Sequence, residues 1–497
     1  MSDISQKLTS LSAKKKALLE LKIKRLKEQK KKKKKKAKAK RELPKIVRQP
    51  VTGPMPLSLD QERLWFIHQF APDNAAYNLH AVIRLLGPLD VALFTKSLNE
   101  VVKRHDSLRT RFIAENGHPK QVIAPTLTLE IPVMDLQHLP QDEQEAQVKS
   151  RAVEEAEQPY DLTKLPLLRV ALSKISPSEH VLYLNLPHII SDWWSSQLLF
   201  QEITQFYDAL LTGQPLAGLL PEPYQFTDFV LWERERIEKQ DMERSLAYWR
   251  THLAGGSFQL DLPIAKRRPT EQTFIGRRQF VTIPPTLITA LRAFSQRENV
   301  TLFMTLTAAF NTLLFRYSGQ TDITLGTPLA NRNHDELKSV LGFLITMLVF
   351  HTELSGDMSF RELVHKVRRV VLEAYAHQDV PLAKLLEIAP PEPDRSRHPL
   401  FQFSINFLDQ QGVAETFKGL EMMPLSYNPQ VSRYDMTLLV EDYGDQITGF
   451  IEYNTDLFEA DSMARFAEHF QTLLKNAIAA PEQPIAQVPM LTEAERH

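Results

Sequence analysis

"LNLPHIISDWWSS", residues 184–196, is the stretch on which the fold turns. It continues an alternating apolar run that includes Val181 and Tyr183. The run stops at Pro187, which has no N–H to give to a neighbouring strand. His188 and Asp192 follow, then two adjacent tryptophans, Trp193 and Trp194, and a helical apolar pattern. The pattern reads as a buried strand over "HVLYLNL" (180–186), a corner carrying the histidine, and a helix over "SSQLLFQEITQFYDALL" (195–211) with Ser195 and Ser196 as cap candidates. A histidine at the end of a buried strand suits acid–base work near neutral pH. Asp192 has two open roles: it can orient the imidazole, or pair with an arginine and hold the corner. Taken alone, HxxxD also fits a buried histidine whose hydrogen bonds are satisfied.

Outward from this corner, helices and strands alternate without a fixed-period repeat. "DVALFTKSLNEVVKRHD" (90–106) puts Val91, Leu93, Phe94, Leu98, Val101 and Val102 on one helical stripe. "TLFMTLTAAFNTLLFRYSG" (301–319) is a strongly apolar helix ending at Gly319, and "QTDITLGTPLA" leads out of it as a strand. "FQFSINF" (401–407) alternates as a half-buried strand. "MTLLVEDYGDQITGFIEY" (436–453) is a hairpin with Gly444 and Asp445 in its turn, and "DSMARFAEHFQTLLKNAI" a last amphipathic helix. The proline-containing "LAGLLPEPYQF" is the best internal break. The expectation is an α+β protein of two lobes, residues 50–220 and 221–485, each a mixed sheet packed with helices, with an exit linker over 486–497.

At 497 residues, 43% apolar and 24% charged, the chain has the composition of a soluble globular protein with ample core. No apolar run reaches the roughly 18 residues of a membrane span, and the N-terminus lacks a secretory apolar segment. The absence of cysteine removes disulfides, thiolate metal sites and a cysteine nucleophile, and is compatible with a reducing cytoplasm, the expected location. No GxxxxGK[ST], GxGxxG or HExxH motif is present, so neither a nucleotide nor a metal centre is expected. The zero net charge conceals a split. Residues 1–49 hold 20 Lys+Arg against 4 Asp+Glu, a balance of +16, and the remainder holds 40 against 56, or −16. Leu11, Leu18, Leu19, Ile23 and Leu26 fit a short amphipathic helix, and "KRLKEQKKKKKKKAKAKR" (24–41) is a solvated linker. This basic head is a candidate docking element for a partner protein, with nucleic acid not expected.

The corner resembles the HHxxxDG motif of condensation domains from nonribosomal peptide synthetases, relatives of chloramphenicol acetyltransferase. "SLDQERLWFI" (58–67) is similar to the family's SxAQxRLWFL, and "RHDSLRTRF" (104–112) to RHExLRTxF. "YQFTDFVLW" (224–232) resembles YxDFAxW, and "LGFLITMLVFH" (341–351) resembles IGFFVNTLVLR. "HQDVPLAKL" (377–385) and "DRSRHPLFQFSINF" (394–407) resemble HQDxPFExL and DxSRxPLFQVxF, all in family order. The resemblance implies two acetyltransferase-like lobes in a V-shaped pseudo-dimer with the histidine at their junction. It implies a reaction in which a carrier-bound amine attacks a carrier-bound acyl or peptidyl thioester to form an amide. No cofactor is bound directly, because the substrates ride on phosphopantetheine arms of donor and acceptor carrier proteins, and the other expected partners are adjacent synthetase modules. On the matching positions, His188 is the family's second histidine, which orients or deprotonates the amine. Asp192 is the family's aspartate, an ion-pair partner more than a proton carrier, with Arg277 or Arg278 as its candidate partner.

The sequence departs from the family at the site itself. Pro187 stands for the first histidine, Trp193 for the glycine, Thr346 for an asparagine, His351 for an arginine, and Leu382–Ala383 for Phe-Glu. Arg63, Arg104, His105, Arg109 and Asp228 keep the pattern. An indole at position 193 is expected to narrow the tunnel beside His188. The resemblance therefore implies amide-bond formation with an altered active site. The alternatives are a catalytically inactive docking platform for carrier proteins or tailoring enzymes, and a basic-headed binding module outside peptide synthesis.

Overall fold

In the computed structural model, residues 45–496 are described apart from 52, 240–241, 264–265, 391–393 and 411–416. The helix and lysine run expected before residue 45 lie outside the described residues. The chain divides into two compact units, residues 1–47 and 48–497, and both large sheets belong to the second.

Two mixed sheets carry the second unit. The first runs in the order Glu421–Pro424, Asn78–Leu86, Glu179–Pro187, Arg169–Ser176 and Val133–Asp135. Its neighbours are antiparallel except for the parallel pair Val133–Asp135 with Arg169–Ser176. The second runs Thr346–Glu353, Asp322–Leu329, Phe403–Asp409, Met436–Asp442, Ile447–Asn454 and Gly276–Thr282. Phe403–Asp409 lies parallel to both of its neighbours. A small antiparallel sheet joins Met55–Pro56, His118–Ile123 and Thr110–Glu115. The architecture is thus the expected α+β arrangement.

Each sheet is covered by helices whose apolar stripes the sequence displays. Phe94, Leu98, Val101 and Val102 of the helix Val91–Arg104 enter one core with Leu199, Ile203 and Phe206 of the helix Trp193–Leu211. Over the second sheet, Leu302–Ser318 is buried on nearly every side, with Phe310 edge-on to Phe470 of the helix Ala460–Ala479. That apolar helix stops where expected, because Gly319 takes a left-handed conformation (φ 72°) that costs glycine nothing. The two lobes interlock. Glu421–Pro424 adds an edge strand to the first sheet, and Leu341 and Phe343 join the first core. Beyond Ile485 the chain folds back: Val488 is buried, and Arg316 Nη1 donates to its carbonyl (2.7 Å).

Close packing gives a direct check. A Cβ on Gly326, in the strand Asp322–Leu329, would stand 2.2 Å from the Phe401 ring. Gly326→Ala should cost about 1–3 kcal/mol through overpacking, read as a lower urea midpoint at unchanged slope.

Candidate active site

Residues 180–187 are all buried, so the strand presents apolar side chains to packing on both faces. The chain then turns through a short 3₁₀ segment, His188–Ile190, fixed by the His188 N–H donating to the Tyr77 carbonyl (2.7 Å). The imidazole of His188 is 6% exposed and meets the Phe343 ring edge-on, with centroids 5.2 Å apart. Its Nδ1 lies 2.9 Å from the Ser191 carbonyl oxygen. A carbonyl only accepts, so Nδ1 carries the proton and Nε2 keeps its lone pair. Burial lowers the pKa of this ring to about 3, with the charges of Arg433 and Arg63 acting in the same direction and the Ser191 bond and Asp192 opposing. His188 is neutral at pH 7.

Asp192 does different work. Its Oδ1 accepts the Ser195 N–H (2.8 Å), which makes Asp192 itself the helix N-cap. The helix therefore begins at Trp193, not at the serines expected from the sequence. Ser195 is released to donate its hydroxyl to the Gly342 carbonyl (2.9 Å) and to accept the Gly342 N–H (3.0 Å). Arg332 grips the carboxylate bidentately, Nη1 to Oδ2 at 2.8 Å and Nη2 to Oδ1 at 3.0 Å. The Leu344 N–H adds a further bond to Oδ2 (3.1 Å). The whole network is buried and ties the corner to residues 330–344 across the lobe junction.

His188 is shared by two cavities. The larger, about 300 Å³, lies between the sheets and is walled by Trp193, Phe343, Tyr434 and the guanidinium groups of Arg63, Arg278 and Arg433, among others. The smaller, about 40 Å³, is lined by Pro187, Leu64, Ile67 and Tyr160. Tyr77, Asn78 and His188 border both. The imidazole thus borders both cavities. Both tryptophans are about two-fifths exposed, and the Trp194 indole N–H donates to the Lys338 carbonyl (3.0 Å).

The structure corrects several expected placements. Neither Arg277 nor Arg278 meets Asp192. Arg277 is exposed on the strand Gly276–Thr282, and Arg278 lies over Phe450 and 3.8 Å from Glu452. Thr346 lies off the larger cavity, in a narrow polar void with Asp60, Glu233 and Arg236, its hydroxyl without a partner among the described residues. Arg109, expected either to line the tunnel or to be structural, makes structural bonds: Nε donates to the Val102 carbonyl, Nη1 to that of Ala124, and Nη2 to Asp106. Arg63 does wall the cavity. Sequence reasoning missed Arg332 and Arg433. Both stand in polar loop stretches, "ANRNHDE" and "QVSRYD", whose local pattern carries no periodicity to mark them.

Removing one partner of the buried pair leaves the other charge stranded. Asp192→Ala should destabilise the domain by about 3–5 kcal/mol, measured by chemical denaturation. Acidification gives a second check. An unfolded histidine protonates near pH 6.5, whereas folded His188 stays neutral until about pH 3, so the unfolded state binds more protons across that window. Stability supplied by the neutral ring is present above pH 6.5 and lost as pH falls towards 3. His80 and His398, also held down to about 3 by burial, act with the same sign, while Asp60 and Glu233, raised to about 6 and about 8, act with the opposite one. The His188→Gln variant should therefore lose less melting temperature between pH 7.5 and 5 than the wild type does.

Comparison with known proteins places the chain. The model of the condensation domain family matches residues 51–497. The chain is 36% identical over 448 residues to the chondramide synthase cmdD of Chondromyces crocatus, covering 90% of this chain but 11% of that protein. It is 35% identical over 500 residues to the phosphinothricin tripeptide synthetase PhsC of Streptomyces viridochromogenes, covering all of this chain and 45% of the relative. The chain thus spans less than half the length of either relative. Among solved structures, the X-domain from teicoplanin biosynthesis superposes with a TM-score of 0.81 at 25% identity, over 90% of this chain and all of that one. The starter condensation domain of rhizomide synthetase RzmA gives 0.76 at 22% identity, over 88% and 98% of the two chains. The chain belongs to the condensation domain family of the nonribosomal peptide synthetases.

Proposed function

We propose that this domain joins two carrier-bound substrates through an amide bond, at a site altered from the family pattern. The acceptor amine attacks the thioester carbonyl, the new C–N bond forms, the C–S bond breaks, and the proton lost by nitrogen ends on the departing thiol. The observation that carries this reading is His188: a neutral ring, its Nδ1–H held by Ser191, bordering both cavities. Its free Nε2 lone pair can accept the amine hydrogen and aim the nitrogen. A ring with its pKa lowered to about 3 is a weak base, so holding amine and thioester together supplies most of the rate.

Two features favour a second reading, a catalytically inactive platform. The Trp193 indole walls the larger cavity where the family pattern has glycine, and Pro187 replaces a histidine. The teicoplanin X-domain, similar in fold, has been solved in complex with OxyB.

An assay with loaded donor and acceptor carrier proteins separates the two. Condensation by the wild type, reduced at least about tenfold in a folded His188→Ala variant, is the expected result. A silent wild type that gains product formation with Pro187→His and Trp193→Gly would establish the platform instead.

A further inference from the structure

The larger cavity is richer in cations than its carboxylates can balance. Arg433 donates through Nε to the Ala76 carbonyl (2.8 Å) and lies beside the Tyr77 ring; among the described residues no carboxylate pairs with its side chain. Arg63 buries Nε and Nη1 without an acceptor, and its nearest carboxylate, Asp60, is 4.0 Å away. Arg278 has Glu452 at 3.8 Å, too far to satisfy its buried Nε. Against these three guanidinium groups the cavity wall sets, among the described residues, only Glu452 and Glu441, and burial raises the pKa of Glu441 although Arg278 opposes the shift. The two histidines on the wall, His80 and His188, are neutral. Buried donors without acceptors are costly, and a guanidinium in a sheltered cavity selects a planar anion with two oxygens.

We propose that this cavity receives a carboxylate carried by one of the two substrates, with Arg433 as its principal contact and Arg63 and Arg278 in support. This rests on the reading of the cavity as the substrate site and deepens it by naming the substrate class. The anion would also offset the positive charges that act on His188. A bound carboxylate would then restore basicity to the ring on which the amine is aimed, so substrate charge and catalysis would be coupled.

Probes that bind without reacting test this independently of turnover. Glutamyl- and glutaminyl-pantetheine amides stand for the acceptor, and their N-acetylated forms, linked through a thioether in place of the thioester, for the donor. Calorimetric titration of the full chain should show the carboxylate probe binding at least about tenfold tighter than its amide twin in one pair, and that pair identifies which substrate bears the anion. The advantage should shrink with added salt, vanish in Arg433→Gln and survive in part in Arg433→Lys. Arg278→Gln, whose side chain holds no backbone carbonyl, should weaken the preference and serves if Arg433→Gln fails to fold. No discrimination within either pair, whether through equal or undetectable binding, would overturn the carboxylate assignment while leaving amide formation from neutral substrates intact. Carboxylate preference in a domain silent with loaded carriers would uphold the assignment and remove the catalysis.

Discussion

The Asp192–Arg332 pair is the constraint on which the site depends. Both side chains are almost fully buried, and every oxygen of the carboxylate is used: two guanidinium nitrogens, the Ser195 N–H and the Leu344 N–H converge on it. A buried ion pair is weak support for stability as such, since desolvating two charges offsets most of their attraction. What it does supply is one arrangement. The corner after the strand Glu179–Pro187, the start of the helix Trp193–Leu211, and the segment between Arg332 and Leu344 can satisfy these charges in few other ways. His188 lies four residues before the clamp, in the turn whose far end the clamp fixes, and is itself held by the Tyr77 and Ser191 carbonyls.

The electrostatics of the two histidine neighbours then divide. Asp192 is bonded to Arg332 and not to the imidazole, whose bonded partner is the Ser191 carbonyl, although the Asp192 charge still favours the protonated ring. The groups that do act on the ring from across the cavity, Arg433 and Arg63, are cations, and they oppose its protonation. A triad-like reading of His188 and Asp192, in which the carboxylate would hydrogen-bond and orient the ring, is therefore not what the geometry provides. Burial, aided by these cations, outweighs the Ser191 bond and the Asp192 charge and keeps the ring neutral.

Much of this was legible in the sequence because it was written in local patterns. The alternation of Phe401, Phe403, Ile405 and Phe407 becomes the strand Phe403–Asp409, and the stripe from Val91 to Val102 becomes the face of Val91–Arg104 that enters the core. A pairing role for Asp192 was also readable. Its partner was not, because Arg332 lies 140 residues away, reached through a loop rather than a register. The misplaced cap has a similar cause: Asp192 and Ser195 are both good capping residues, and the choice was made by Gly342 and Arg332, which claim the serine hydroxyl from the other lobe. Thr346 was grouped with the site on resemblance alone, and tertiary packing sends it elsewhere.

The two departures beside His188 share a property that explains how the fold tolerates them. Pro187 ends its strand at φ −75°, within the range its ring imposes, so no backbone strain attends it. Trp193 is the first residue of a helix and is absent from the positive-φ residues, so a glycine at this position would confer no conformational advantage. The Asp192 clamp is made by Arg332, Ser195 and Leu344, and neither changed side chain is among its hydrogen-bond partners. Pro187 lines the smaller of the two cavities that border His188, and Trp193 the larger. The interactions that fix the corner are thereby distinct from the side chains at 187 and 193, which line the cavities beside His188.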